Sequence, residues 1–234
     1  GKHVADLLPA LARLGIEVHV VTPAFSAGPY GETSQGVYVH RTRIPLLASE
    51  THDFYAKALY ANSLLDATCE RLNIQHGPFD LIHDHDWLTS FAAISYKHRY
   101  KVPLIATVHA TERGRGRGYL RDEHSRRINE AEWRLTYEAW RVICCAHYMA
   151  EEVRSYFGVP LNKTDVIPNG VDASPFDALD GVDLSAFRAQ YARPDEQIVL
   201  YVGRLVQEKG VDILVRCAPQ VLREIPTARF VIAG

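Results

Sequence analysis

Arg204 and Lys209 stand five positions apart in "LYVGRLVQEKGVDIL", between an apolar run and a helix-like stripe. A guanidinium offers two parallel donors to an oxyanion, and an ammonium adds a compact positive charge. Gly203 lets the chain turn just before Arg204, and Gly210 opens a helix whose first N–H groups lack intrahelical partners. That set suits a diphosphate. It is not a Walker A loop, because no glycine-lysine-Ser/Thr run is present. The same cations also read as a solvated surface pair with Glu208 between them.

A second group is "HDHDW", His83 to Trp87, at the end of the apolar pair Leu81-Ile82. His83-x-His85 resembles the opening motif of metal-dependent amidohydrolases, and Asp84-x-Asp86 the DxD signature of manganese-dependent glycosyltransferases. No third ligand group follows at a readable spacing, so no metal is expected. Asp86 is expected to cap a helix that starts at Trp87.

The third group is "TVHATERGRGRGYLR", Thr107 to Arg121. His109 ends a strand, and the segment carrying Arg113, Arg115, Arg117 and Arg121 reads as a mobile surface loop. Its glycines at 114, 116 and 118 do not fit GxGxxG, because Tyr119 and Arg121 follow. An anion-binding interaction module presenting this loop to an anionic polymer is the non-enzyme alternative. No aromatic platform or basic domain surrounds the arginines, so no nucleic-acid partner is expected.

The elements that must position these groups alternate along the chain. Helical stripes at 4–14, 54–72, 87–99, 127–140, 149–158 and 210–225 are interleaved with short β-rich runs at 16–23, 36–45, 80–86, 102–109, 141–146, 164–172, 198–203 and 228–234. Such alternation predicts βαβ units and an open, doubly wound parallel sheet, with ligands outside the carboxyl ends of the strands. A mixed-polarity stretch after Asp172 marks a domain junction, dividing the chain into 1–172 and 173–234. With 234 residues, 47% hydrophobic, there is apolar mass for two cores; the formal charge of −2 provides no overall attraction to nucleic acid or an anionic membrane. The four cysteines form no CxxC pair, and no apolar run approaches the roughly 18 residues of a membrane span. Reduced thiols, no transmembrane segment and a cytoplasmic location are expected. The chain opens on a helix without a preceding strand and closes on a strand and Gly234, so it reads as an internal fragment.

Taken in order, "GKHVADLLPALARLGIEVHVVTP", "HDHDW", "TVHATERGR", "VIPNGVD" and "LYVGRLVQEKGVDIL" resemble retaining glycosyltransferases of the GT-B fold, in the group that includes glycogen synthases and glycosyltransferase family four. The resemblance implies two Rossmann-like domains with parallel sheets, the first missing its first strand and the second truncated, facing each other across a cleft. It implies transfer of a hexose, glucose, from a nucleoside-diphosphate sugar to an acceptor hydroxyl with retention. By that resemblance Arg204, Lys209 and Gly203 meet the donor diphosphate, His109 lies near the transferred sugar, and Asp86 lies near sugar and acceptor. Asn169 and Gly170 shape the interdomain turn, and Gly1 and Lys2 are the tail of a glycine-rich loop that approaches the donor phosphate. ADP-glucose or UDP-glucose enters as co-substrate, a glucan or other glycosyl acceptor is the partner, and neither metal nor organic cofactor is implied. The rest of the glycine-rich loop and a pair of sugar-binding glutamates would lie outside this chain, so the fragment alone is expected to be inactive. A metal-dependent hydrolase using His83 and His85 is the enzyme alternative.

Overall fold

Val4, Leu7, Leu8 and Leu11 repeat at helical spacing, and they lie in α1 (Lys2–Arg13), which gives way to Gly15 at φ 85°. The computed structural model describes residues 2–24, 31–45 and 53–234. These form two compact units, 1–171 and 172–234.

In the first unit β1 (Val18–Ala24) pairs in parallel with β3 (Val37–Arg43), and β2 (Gly31–Ser34) pairs antiparallel with β3. A second set, β4 (Ile82–His85), β5 (Leu104–Val108), β6 (Arg141–Cys144) and β7 (Thr164–Val166), is parallel throughout, in that spatial order. The α/β class with parallel sheets is therefore present. Among the described residues the strands form two hydrogen-bonded sets where one open sheet was expected, and β2 is a strand the sequence reading lacks. Its residues are all exposed, so no apolar alternation announces it. The hairpin is set instead by Gln35 (φ 51°) and Gly36 (φ 80°), whose paired positive φ values match a two-residue turn of the primed type. Pro23, expected to stop β1, lies inside it opposite Thr42. A proline is tolerated there because β1 is an edge strand of its set, where a missing N–H breaks no ladder on the open side.

Helices α2 (Phe54–His76), α3 (Ser90–Tyr100), α5 (Glu123–Glu138) and α6 (His147–Phe157) connect these strands. Asp53 caps α2 by accepting from the N–H groups of Tyr55 and Ala56, and its other oxygen accepts from Arg127 at 3.0 Å, tying the start of α2 to α5. α5 begins four residues before its apolar stripe suggests. A capping box explains the difference: Ser125 N–H donates to Asp122 at 2.7 Å, and Asp122 N–H donates to the Ser125 hydroxyl at 3.1 Å.

The core of this unit runs through α3, β5, α5, β6 and α6. Leu104, Ala106, Val142, Cys144 and Val153 are completely inaccessible there. β5 is buried along nearly its whole length, as a strand covered on both faces must be. A satellite cluster forms around Trp87, which is 3% exposed and stacks on Tyr55 with ring centroids 5.6 Å apart. It clamps the turn that follows β4.

The second unit holds a short helix α7 (Ser185–Arg188), then β8 (Gln197–Val202), α8 (Val211–Glu224) and β9 (Ala228–Ala233). β8 and β9 pair in parallel with α8 as their crossover, one βαβ step. Of its residues only Ala192 and Ala228 are buried.

Leu104 is fully buried at the start of the central strand of the larger core. Leu104→Ala is expected to cost about 2–5 kcal/mol, the usual penalty for lost burial plus a residual cavity. Chemical denaturation of the chain checks this; an unchanged midpoint for the first unit's transition would contradict the packing described.

Candidate active site

Parallel strands leave their last carbonyls and N–H groups at one edge, and the candidate residues are gathered there. β4 pairs with β5 in a register that sets His85 opposite Thr107. One residue on, Asp86 N–H donates to the Thr107 carbonyl at 3.0 Å, and His109 N–H donates to Asp86 Oδ1 at 2.8 Å. The two strand ends are thereby stitched together. To make both bonds Asp86 takes φ 62° and ψ −178°, a region open essentially only to glycine and costing other residues of order 1–3 kcal/mol. The expected helix cap is corrected here. Asp86 stands at the cap position of a 3-10 turn, Trp87–Thr89, but its side chain makes no cap bond and serves His109 instead.

Asn62 holds the next turn. It is buried on α2, donates to the Leu88 carbonyl at 2.8 Å and accepts from Ala92 N–H at 2.9 Å. Ser90 donates back to the Trp87 carbonyl at 2.8 Å. Asn62 and Ser90 thus pair backbone groups of this turn through the chain itself, while the buried Oδ2 of Asp84, on the strand that enters it, has no hydrogen-bond partner among the described residues.

Around the stitch lies a file of imidazoles. His83 Nε2 is 2.7 Å from the Thr107 hydroxyl, His85 Nδ1 is 3.1 Å from His109 Nε2, and His109 Nδ1 is 3.6 Å from Cys145 Sγ. His83 and His85 stack with centroids 4.3 Å apart. His3, from the first turn of α1, meets His109 edge-on at 4.7 Å. Burial is the main force on three of them: with repulsion from the neighbouring imidazoles it holds His83 down at about 4 and His85 at about 3, and His109 is also lowered although Asp86 pulls it the other way. At neutral pH His83, His85 and His109 are uncharged and can both give and take hydrogen bonds.

Asp84 and Asp86 do not converge as a DxD metal pair would. Asp84 is buried, accepts from Thr89 at 2.5 Å, and desolvation raises it to about 7, whereas Asp86 faces His109. Nor do His83 and His85 carry a metal group by themselves. At this strand edge the ligand atoms within 4.8 Å of one another are those of His3, His85 and His109. The sequence reading missed His3 because a single histidine in an amphipathic helix gives no periodic signal.

The arginine-glycine segment is not a loose loop. Thr111 caps a short helix, α4 (Glu112–Arg115), and Glu132 accepts twice from Glu112 N–H, at 2.8 and 3.0 Å. Burial raises the Glu132 carboxyl to about 8. Arg113 lies over the Tyr156 ring at 5.1 Å, and Arg115 pairs with Glu112 at 3.5 Å. The glycines answer to packing: a Cβ on Gly116 would fall 2.0 Å from the Tyr119 carbonyl oxygen, and one on Gly114 would fall 2.8 Å from the Thr111 hydroxyl. The segment is folded around Thr111, Glu112 and Gly114, while Arg115, Arg117 and Arg121 stay exposed.

The remaining expected residues are more dispersed. Lys2 opens α1 and pairs with Asp6 at 2.7 Å, while Gly1 lies outside the described residues. Asn169 and Gly170 are exposed in the irregular segment after β7, and a Cβ on Gly170 would meet nothing within 4 Å. In the second unit Arg204 donates to Glu208 at 2.6 Å with its side chain 71% exposed, the pairing a solvated reading expects. Lys209 ends a 3-10 turn, Gln207–Lys209, and Gly210 follows at φ 70°. Tyr201, which the sequence reading passed over, folds its hydroxyl onto the Arg204 carbonyl at 3.1 Å and lines the Gly203 bend.

Comparison with known proteins now bears on this arrangement. A family model described as Glycosyltransferase Family 4 matches residues 1–175, and one described as Glycosyl transferases group 1 matches residues 185–234. The chain belongs to glycosyltransferase family 4. It is 36% identical over 234 residues to an uncharacterized glycosyltransferase of Methanocaldococcus jannaschii, covering 99% of this chain and 58% of that protein. It is 31% identical over 252 residues to a glycogen synthase of Mycobacterium tuberculosis, covering 100% of this chain and 57% of that protein. The chain thus spans little more than half the length of these relatives. In fold it is similar to sucrose-phosphate synthase of Thermosynechococcus elongatus, with a TM-score of 0.77 at 22% identity over 100% of this chain and 56% of that one. Anabaena HepE, solved in complex with UDP and glucose, gives a TM-score of 0.57 at 17% identity over 85% of this chain and 48% of that one. The fold of the family four chain is of the GT-B type. Among its described residues no helix is long and apolar enough to cross a membrane.

The depressed histidines make a signed prediction. An unfolded histidine binds its proton near pH 6.5, whereas folded His85 resists until about 3, so the unfolded state holds more protons in between. The stability this group confers is present above about pH 6.5 and is lost as pH falls towards 3. His85→Gln is expected to flatten the fall in denaturation midpoint between pH 6.5 and 4.5; an unchanged slope would refute the neutral, desolvated imidazole.

Proposed function

We propose that the protein to which this chain belongs transfers glucose from a nucleoside-diphosphate sugar, ADP-glucose or UDP-glucose, to an acceptor hydroxyl with retention, the acceptor being a glucan or another glycoside. The observation that carries this reading is the stitched end of β4 and β5. A carboxylate in a glycine-only backbone conformation fixes His109 and leaves a neutral imidazole beside it. Strain of this kind persists where surrounding structure enforces it, and it gathers at functional sites. A neutral imidazole at a strand end can hydrogen-bond a sugar hydroxyl, and a carboxylate such as that of Asp86 can stabilise positive charge developing on a sugar ring.

Family membership, the 31% identity to a glycogen synthase and the UDP and glucose held by a protein of similar fold support a nucleotide-sugar donor. Arg204 and Lys209 are assigned to the donor diphosphate, with Gly203, Lys2 and Gly1 as backbone and charge near the phosphates, and Asn169 and Gly170 shaping the approach. When the bond between the sugar and the phosphate oxygen breaks, negative charge grows on that oxygen. Arg204 exchanges its Glu208 partner for phosphate, and Lys209 adds a second cation, so the gain falls chiefly in the transition state. The acceptor hydroxyl attacks on the face the phosphate is leaving, and a phosphate oxygen takes its proton. Two cations suffice to neutralise the leaving group, so this route requires no metal. The reaction belongs to the longer protein, with the 1–172 part serving the acceptor, the 173–234 part the donor, and a cytoplasmic setting where sugar nucleotides are available.

One observation favours a second reading, metal-dependent hydrolysis: the convergence of His3, His85 and His109. Chelation separates the two. Transfer that survives chelator treatment supports the glycosyltransferase, and hydrolysis abolished by it supports the metal enzyme.

In the full-length protein, Arg204→Ala or Lys209→Ala is expected to lower transfer about 100- to 1,000-fold, the usual cost of one preorganised charge-stabilising donor. Release of free nucleoside diphosphate from a panel of sugar nucleotides measures this, and wild-type turnover in either variant defeats the assignment. His109→Ala is expected to reduce transfer at least tenfold while nucleotide affinity, measured calorimetrically, holds within about twofold, since its role lies at the sugar. Equal losses in both would reassign His109 to a structural role.

A further inference from the structure

Apart from the histidine file, a second imidazole group lies at the amino-terminal end of β1 and the carboxyl-terminal end of α2. Glu17 immediately precedes β1 and His19 lies within it, so the i, i+2 spacing of an extended chain puts both side chains on one side. His76 is the last residue of α2. The carboxylate of Glu17 and ring nitrogens of His19 and His76 all lie within 4.8 Å of one another. His19 has only 4% of its side chain exposed, whereas Glu17 and His76 open to solvent. The His19 and His76 rings meet edge-on with centroids 4.6 Å apart.

We propose that Glu17, His19 and His76 form a binding site for a divalent transition metal of the zinc class. The donor set, one carboxylate oxygen and two imidazole nitrogens, is one that zinc takes in sites with three protein ligands, where a fourth position stays open to water. The two nitrogens of His19 divide the work. Its Nε2 lies 2.9 Å from Glu17 Oε1, and its Nδ1 lies 3.0 Å from His40 Nε2. Without metal, a proton on Nε2 bridges to the carboxylate and His40 donates to Nδ1. With metal, the single ring proton of His19 moves from Nε2 to Nδ1, which frees Nε2 for the cation beside the carboxylate. The Nδ1 proton is then donated to His40 Nε2, whose own ring proton moves to its Nδ1, so no proton is lost and His40 becomes the outer partner that orients metal-ligating histidines in general. His40 comes from β3, with its ring stacked on His19 at 5.1 Å.

A second feature favours a cation here. His76 stands at the carboxyl end of a helix of 23 residues, where the last carbonyls and the helix dipole concentrate negative potential. The arrangement would clip the end of α2 to the start of β1, two elements otherwise joined only through packing and a long connection. The site shares no residue with His3, His85 and His109.

The test uses Zn²⁺ alone, and Co²⁺ as its spectroscopic substitute, added to the whole chain after chelator treatment. One equivalent of Zn²⁺ is expected to bind and to raise the melting temperature, and Co²⁺ added in its place to the chelator-treated chain is expected to give the intense visible bands of a four-coordinate site. Glu17 and His76 are exposed, so Glu17→Gln and His76→Gln leave the metal-free melting temperature unchanged while weakening Zn²⁺ binding at least tenfold. His40→Phe, which removes only the outer partner, is expected to weaken it less than loss of a ligand does. His3→Gln has no effect. Zn²⁺ affinity unaltered by both Glu17→Gln and His76→Gln overturns the proposal, as does loss of binding in His3→Gln, which would put the metal at the other histidine group.

Discussion

Two hydrogen bonds between the ends of adjacent parallel strands govern the chemistry available to this chain. Asp86 gives its N–H to the Thr107 carbonyl and takes the N–H of His109, at 3.0 and 2.8 Å. The first continues the sheet ladder past its last paired residue, and the second turns a side chain into a further rung. The chain adopts φ 62° at Asp86, a region that favours glycine, and surrounding packing holds it there. Trp87, clamped against Tyr55, and Asn62, bonded to both sides of the following turn, supply that hold.

Once the strand ends are fixed, burial sets the charges. The imidazoles of His83, His85 and His109 are drawn into a region where a second positive charge cannot be solvated, so all three remain neutral. Desolvation acts in the opposite sense on the carboxyls behind them, raising Asp84 to about 7 and Glu132 to about 8. The result is a polar region with little net charge at neutral pH, bordered by Asp86. A sugar, which carries hydroxyls and no charge, suits such a surface better than a phosphate does. A diphosphate would need cations, and the chain carries Arg204 and Lys209 on its second unit, each on an exposed bend rather than in a buried pair. Exposed cations can change partners at low cost, since a surface ion pair such as Arg204 with Glu208 contributes about 1 kcal/mol or less.

The glycine-rich arginine segment shows how a suggestive composition can have a packing origin. Gly114 and Gly116 are required because other atoms occupy the places where their Cβ atoms would go. Arg113 is spent on an aromatic ring and Arg115 on a neighbouring glutamate. A regular RGRGRG pattern thus reflects the close turns of a four-residue helix and its exit.

The sequence by itself determined the α/β class, the positions of the long helices and the strand-end location of His85, Asp86 and His109. Those features follow from local periodicity, from Gly77 and Gly158 at helix ends, and from apolar runs such as Leu104 to Val108, all of which are written in neighbouring residues. The resemblance carried by "HDHDW", "NGVD" and "GRL" to "EKG" pointed to the family that the comparison confirms. Only the tertiary structure decided that Asp86 serves His109 rather than a helix, that Asp84 is buried apart from it, and that His3 joins His85 and His109. It likewise brought Glu17, His19, His40 and His76 together from β1, β3 and α2. The physical reason is the same wherever separate elements meet: the contacts of Asp86 with His109, His19 with His40 and His3 with His109 span from about twenty to over a hundred positions of chain, and nothing local to either partner records the other until parallel pairing and helix packing set the distance between them.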